Sequence, residues 1–130
     1  MSRAVLVDTS IFAYALGDGH AYREPCRDFL ATAAANGLEL HASVEMVQEL
    51  TFHRMRRVDA QTAVAQGRLA AAACELHAFD EKVLDRALSL VLEGMRGRDA
   101  VHAATAAVAG ISVIVSTDPG FDSVMERLSP

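Results

Sequence analysis

The chain contains no tryptophan, two tyrosines and five phenylalanines. That scarcity excludes a broad base-stacking platform of the kind single-strand binders spread along a groove. It has a single lysine, Lys82, and a formal net charge of −5, so it does not capture nucleic acid by bulk electrostatics. An enzyme whose acids are offset by metal ions stays open. Two cysteines, Cys26 and Cys74, stand far apart, with no CxxC spacing and no histidine partner. Zinc is therefore not expected there, and reduced thiols are. No apolar run approaches the roughly 20 residues of a membrane helix. Met1-Ser2-Arg3 leads into only four apolar residues, too few for the core of a signal peptide. A cytoplasmic protein is the expectation.

What is present starts at AVLVDTS, residues 4–10. An apolar run this short reads as a strand buried on both faces, typical of a parallel sheet. It stops at Asp8-Thr9-Ser10, all helix-capping types, before a short helical stretch over 11–16. Asp8 is thus expected at the carboxyl end of a central strand, where open α/β sheets bind ligands. A plain helix cap is the competing reading. With 52% hydrophobic residues over 130 positions, one globular domain with its own core is expected.

Further along, residues 22–36 read as helix, stopped by Asn36-Gly37. Strand signal follows over 38–42. Ser43 caps a helix to about Arg57, and Asp59 caps one to about Cys74. A weak strand is expected over 75–79. Asp80 then caps an amphipathic helix with Val83, Leu84, Ala87, Leu88, Val91 and Leu92 at helical spacing. Arg98-Asp99 opens an Ala-rich helix closed by Gly110. Ile111 to Val115 is a second buried-strand signal, ending in Ser116-Thr117-Asp118; Asp118-Pro119-Gly120 is a turn, and 121–128 is expected as a last short helix. Strands alternating with helices imply a parallel sheet covered on both faces.

Four acids can meet in such a fold. Asp8 and Asp118 each follow a buried strand, so a parallel sheet puts both on one edge. Asp99 lies in the first turn of a helix, where the positive dipole end favours a carboxylate. Glu49 is mid-helix after the second strand. Converged carboxylates raise one another's pKa, a conflict that a hard divalent cation removes. All-oxygen ligands suit Mg²⁺ or Mn²⁺. The matching chemistry is metal-assisted attack of water on a phosphodiester. Each acid also has a plain structural use: Asp99 as a first-turn acid, Asp118 as a turn former, Glu49 as a solvated charge beside Glu45 and Arg56. The five histidines show no ligand spacing and carry no assigned role, with His102, one turn after Asp99, the one nearest the acids.

The order of these motifs resembles the PIN-domain nucleases, most of all the VapC-type toxins of bacterial toxin–antitoxin pairs: a strand ending in Asp-Thr-Ser, a Glu-Leu pair mid-helix, Arg-Asp-Ala opening an Ala-rich helix, then a strand ending in Ser-Thr-Asp with Phe-Asp after it. The resemblance spans 4–122. It implies a three-layer α/β/α PIN-like fold with a central, mainly parallel sheet of four to five strands, as a single PIN-like nuclease domain over 1–130. It implies catalysis and metal ligation by Asp8, Glu49, Asp99 and Asp118, with Mg²⁺ or Mn²⁺ as cofactor. Ser10 and Thr117 match supporting hydroxyl positions, and Asp122 a more variable fifth acid. It also implies RNA as substrate, a homodimer, and a cognate antitoxin blocking the cleft. Arg98 is placed to contact a phosphate. Arg54, Arg56 and Arg57 offer the same, although a solvated surface is the default for each. Glu45, one turn before Glu49, competes as ligand; Glu49 is preferred because Leu50 follows it.

Other classes fare worse. A phosphoacceptor receiver needs a lysine at the end of a late strand, and Lys82 opens a helix instead. A haloacid-dehalogenase-type phosphatase needs a second Asp where Ser10 stands. A dinucleotide binder needs glycines after the first strand. A PIN fold that lost catalysis and acts as an RNA- or protein-binding module is the alternative that metal-dependent RNA cleavage separates.

Overall fold

A computed structural model describes residues 2–130. Five strands form one parallel sheet: β1 (Arg3–Val7), β2 (Leu38–Ser43), β3 (Glu75–His77), β4 (Val113–Val115) and β5 (Glu126–Leu128), in spatial order β3-β2-β1-β4-β5. Six helices cover it: α1 (Thr9–Leu16), α2 (Arg23–Thr32), α3 (Val44–Met55), α4 (Ala60–Ala73), α5 (Glu81–Leu92) and α6 (Gly97–Ala109).

The apolar run of β1 is buried on both faces because two separate cores meet it. Val5 and Val7 pack with Ile11, Phe12, Cys26, Met46, Leu50 and Ala70, so α1 to α4 cover that face. Leu6 points the other way, to Val83, Ala87, Leu90, Ala100 and Ala104 of α5 and α6. The three-layer α/β/α arrangement follows from that alternation. The expected caps form: Ser43 accepts from Met46 N–H, Asp59 from Thr62 N–H and Asp80 from Val83 N–H. Gly110 takes the left-handed conformation, φ 74°, that ends α6. Both cysteines are free thiols, and burial pushes each up to about 11.

Several boundaries differ from the sequence expectation. No helix forms over 121–128. A 3-10 turn (Pro119–Phe121) is followed by β5, which pairs with β4 and completes the sheet. Arg127 holds that return by donating to Asp122 and to the Ser116 carbonyl. The second strand signal narrows to β4, because Ile111 N–H closes α6 by donating to the Ala106 carbonyl. The third strand stops at His77 and α2 stops at Thr32. On α5 the core takes Val83, Ala87 and Leu90, whereas Leu84, Leu88 and Val91 stay exposed. The apolar face is wider than the core that it covers.

Helices α3 and α4 cross so closely that a Cβ at Gly67 would collide with the Thr51 hydroxyl, which is itself bonded to the Val47 carbonyl at 2.8 Å. Alanine is about 1 kcal/mol better than glycine inside a helix. Overpacking costs about 1–3 kcal/mol, so the collision outweighs the propensity gain. Gly67→Ala should lower the melting temperature, and Thr51→Ala added to it should recover stability. Additive effects in that double-mutant cycle would refute the contact.

Candidate active site

Parallel strands aim their carboxyl ends at one edge, and β1 and β4 are neighbours there. The ladder runs one residue past β1, with Asp8 N–H donating to the Val115 carbonyl at 3.0 Å. That fixes the Asp8 backbone. Its side chain is fixed as firmly. One oxygen, Oδ1, accepts from Thr9 N–H at 2.9 Å, which makes Asp8 the cap of α1. Oδ2 accepts from the Ser10 hydroxyl at 3.0 Å and the Ser116 hydroxyl at 2.7 Å. Asp8 caps α1, and the same geometry leaves it lining the cleft.

Asp118 follows β4 and caps the 3-10 turn, accepting from Gly120 N–H at 2.8 Å. Its own N–H donates to the Ser116 hydroxyl at 3.0 Å. Ser116 therefore ties the ends of β1 and β4 together. Thr117 contributes its N–H, which donates to Ser10 Oγ at 3.4 Å. Among the described residues the supporting hydroxyl bonds come from Ser10 and Ser116, not from the Thr117 side chain. Asp122 stands apart from the cleft and pairs with Arg127 at 2.8 Å.

His102 on α6 joins the remaining pieces. The imidazole is 2% exposed. Nδ1 lies 3.0 Å from the Ser43 hydroxyl at the end of β2. Nε2 lies 3.4 Å from Thr9 Oγ1, 3.7 Å from Glu49 Oε1 and 3.8 Å from Asp8 Oδ1. Burial acts to lower the His102 pKa, but Glu49 and Asp8 outweigh it, and the net direction is up. Glu49 is correspondingly held below the usual carboxylate range, mainly by His102, against its own burial and with help from Thr9 and Arg98. Arg98 Nε sits 3.6 Å from Glu49 Oε2, with most of the guanidinium in solvent.

Asp99 lies in the first turn of α6. Burial raises its pKa most, and the charges on Asp8, Asp118 and Glu49 raise it further, with His102 opposing. The four expected acids are thus within electrostatic reach of one another. They line a cleft of about 1180 Å³, and Glu45 lines it too. Glu49, not Glu45, contacts His102 and Arg98. Among the described residues no three cleft acids bring their oxygens within 4.8 Å of one another. Mg²⁺ keeps several waters and binds through one or two carboxylates, so a spread, oxygen-only donor set fits a hydrated hard cation. It does not fit a closed zinc cage.

Basic residues line the same cleft. Arg56 and Arg57 line it, exposed, together with His53 and Arg54. Arg54 corrects the expectation of a solvated side chain: it is 5% exposed, and its Nε donates to Gln66 of α4 at 2.9 Å. The His53 pKa is lowered by burial first, then by Arg57, Arg54 and Arg56. Tyr14 and His20 line the cleft and cluster with Tyr22, with ring centroids 4.6–5.9 Å apart. Sequence reasoning missed this group because its members gather only when α1 and α2 pack. Its best signal was the spacing of Tyr14 and Tyr22 around the Gly17-Asp18-Gly19 turn.

The chain belongs to the PIN-domain family, whose model matches residues 5–126. It is 36% identical to Ribonuclease VapC7 of Mycobacterium tuberculosis over 121 residues, 90% of this chain and 83% of that protein. It is 28% identical to Ribonuclease VapC13 of the same organism, covering 92% of this chain and 93% of that one. Among solved structures it superposes on the sarcin-ricin-loop-cleaving toxin VapC20 of M. tuberculosis with a TM-score of 0.80 at 16% identity, covering 97% and 99% of the two chains. On VapBC2 from Rickettsia felis, solved bound to a promoter DNA fragment, the TM-score is 0.73 at 13% identity and 98% coverage of each chain. PIN-domain nucleases are generally dependent on divalent metals.

The direction of the Asp99 shift sets a stability test. A carboxyl whose folded pKa is raised favours folding only while protonated, below its unfolded pKa, and loses that contribution as pH climbs through the folded pKa. Asn removes the penalty. It also forfeits a helix-dipole interaction of about 0.3–1 kcal/mol, so the net gain is modest. In EDTA, Asp99→Asn should melt above wild type at neutral pH, with the gap widening as pH rises above the unfolded Asp value of about 3.9. A mutant melting below wild type at pH 7 would make Asp99 an ordinary helix-start residue.

Proposed function

We propose that this chain is a Mg²⁺- or Mn²⁺-dependent endoribonuclease, the toxin of a type II toxin–antitoxin pair, working in the cytoplasm as a single nuclease domain over residues 1–130. The observation that carries this reading is the locked Asp8 carboxylate, sharing with three further acids a cleft that arginines also line. Asp8, Glu49, Asp99 and Asp118 would hold the cation, directly or through its waters. A bound divalent cation supplies activation of water and stabilisation of the charge that builds on a phosphodiester in transit.

The residues themselves hold and orient. Ser10 and Ser116 fix the Asp8 carboxylate by donating to Oδ2. His102 keeps Glu49 ionised and aligned. Arg56, Arg57 and Arg98, which line the cleft with the acids, offer donors to the RNA backbone. Guanidiniums bind phosphate with fixed fork geometry, which suits a protein with one lysine. Tyr14, His20 and Tyr22 offer faces on which an unpaired base can stack. The exposed Leu84, Leu88 and Val91 stripe of α5 offers a helical surface for the homodimer. The antitoxin would cover the cleft, most simply with an arginine-bearing segment that satisfies its acids.

Pure wild type should cleave RNA with Mg²⁺ or Mn²⁺ and lose all cleavage in EDTA. Asp8→Asn should be inactive. Ser116→Ala, which loses only the support of Asp8, should cost about 10–100-fold. Undiminished cleavage in EDTA, or full activity of Asp8→Asn, would sink the nuclease reading. Metal-independent RNA binding without cleavage would instead favour an inactive binding module.

A further inference from the structure

The tightest convergence of metal-ligating side chains among the described residues lies outside the cleft. On β2, Glu39 and His41 are two residues apart and share a sheet face; on β3, Glu75 and His77 do the same. The parallel register sets His41 beside Glu75 and Ser43 beside His77. All four side chains therefore leave one face at the β3 edge of the sheet. The ligand atoms of Glu39, His41 and Glu75 lie within 4.8 Å of one another.

The bonding pattern is more specific than the clustering. His41 is 8% exposed, an unusual depth for an imidazole flanked by two exposed glutamates. Its Nε2 faces Glu39 Oε1 at 2.5 Å. A carboxylate only accepts, so Nε2 carries a proton, and in the neutral ring Nδ1 carries the lone pair. That lone pair points at His77 Nε2, 2.8 Å away, and at Glu75 Oε2, 3.5 Å away. A carboxylate on one ring nitrogen, with ligand-type atoms near the other, is the arrangement that orients metal-binding histidines.

We propose that the β2–β3 edge is a second metal site, taking a borderline transition-metal ion of the Zn²⁺ type. His41 Nδ1, His77 Nε2 and Glu75 are its ligands, and Glu39 is the orienting carboxylate. Tetrahedral zinc with bonds of about 2.1 Å sets its ligand atoms about 3.4 Å apart. The 3.5 Å contact already meets that, the 2.8 Å contact requires a small outward turn of the half-exposed His77 ring, and the exposed Glu75 carboxylate must swing towards His77, which lies outside the set of ligand atoms within 4.8 Å of one another. The fourth position opens to solvent. Imidazole nitrogens select against Mg²⁺ there, just as the oxygen-only cleft selects for it. The ion would pin β3, a three-residue edge strand, to β2.

The experiment is titration of the full chain with Zn²⁺ by calorimetry and with Co²⁺ by visible absorption, both in millimolar Mg²⁺. One equivalent should bind, with a d–d band from nitrogen-containing coordination. His77→Gln and Glu75→Gln should each weaken binding at least tenfold and remove the band. Glu75 is exposed, so its variant tests the site even where His77→Gln fails to fold. Asp99→Asn should retain both the equivalent and the band. Equal binding by wild type and Glu75→Gln, no binding at all, or loss of the band in Asp99→Asn would overturn the proposal. RNA cleavage plays no part in the readout, so this result and the nuclease reading stand or fall separately.

Discussion

A buried imidazole surrounded by carboxylates is the constraint on which the site depends. His102 touches the end of β2 through Ser43, the start of α1 through Thr9, α3 through Glu49, and Asp8 after β1. Without it, Glu49 and Asp8 would meet in a partly dry pocket with no positive partner, a costly arrangement. With it, Glu49 is driven below its ordinary pKa while His102 is driven above its own. The opposed shifts describe one shared stabilisation. The same contact orients α6, and so sets where Asp99 and Arg98 enter the cleft.

Strand order explains why the acids meet at all. From β1 the chain builds outward to β2 and β3 on one side, then returns to place β4 and β5 on the other. The direction of winding reverses between β1 and β4, and in open α/β sheets the crevice at such a reversal is the binding site. Asp8 and Asp118 flank it. Ser116 bridges them with two hydrogen bonds, donating to one carboxylate and accepting from the other residue's backbone. The cost of this placement falls on Asp99, which enters from the opposite layer to Glu49 and carries the raised pKa.

Much of this was legible in the sequence because it is local. Apolar runs of four or five residues that end in small polar ones mark buried parallel strands. Ser43, Asp59, Asp80 and Gly110 each punctuate a helix through bonds within one turn. What escaped is nonlocal. Residues 126–128, two adjacent charges and a leucine, carry no strand signal alone; they become β5 because β4 presents an open edge and Arg127 anchors the return. Arg54 looks like any polar-face arginine until α4 packs over it and Gln66 supplies a partner. The α5 stripe shows a converse limit. Periodicity reports an apolar face, but not how much of that face the chain itself covers.

One face of β2 serves both ends of this chemistry. Glu39 and His41 point into the edge cluster, and Ser43, next on the same face, holds His102. Ser43 also caps α3, so the residue that ends the strand fixes the helix carrying Glu49. A shift of β2 along its axis by one residue would flip every one of these side chains to the opposite layer. The cores on both faces of the sheet forbid it, since Ala42 is buried against one and its neighbours, His41 and Ser43, against the other. Packing that has no direct part in the chemistry therefore fixes the register, and the register sets the distance from Ser43 to His102, from which the rest of the site is measured.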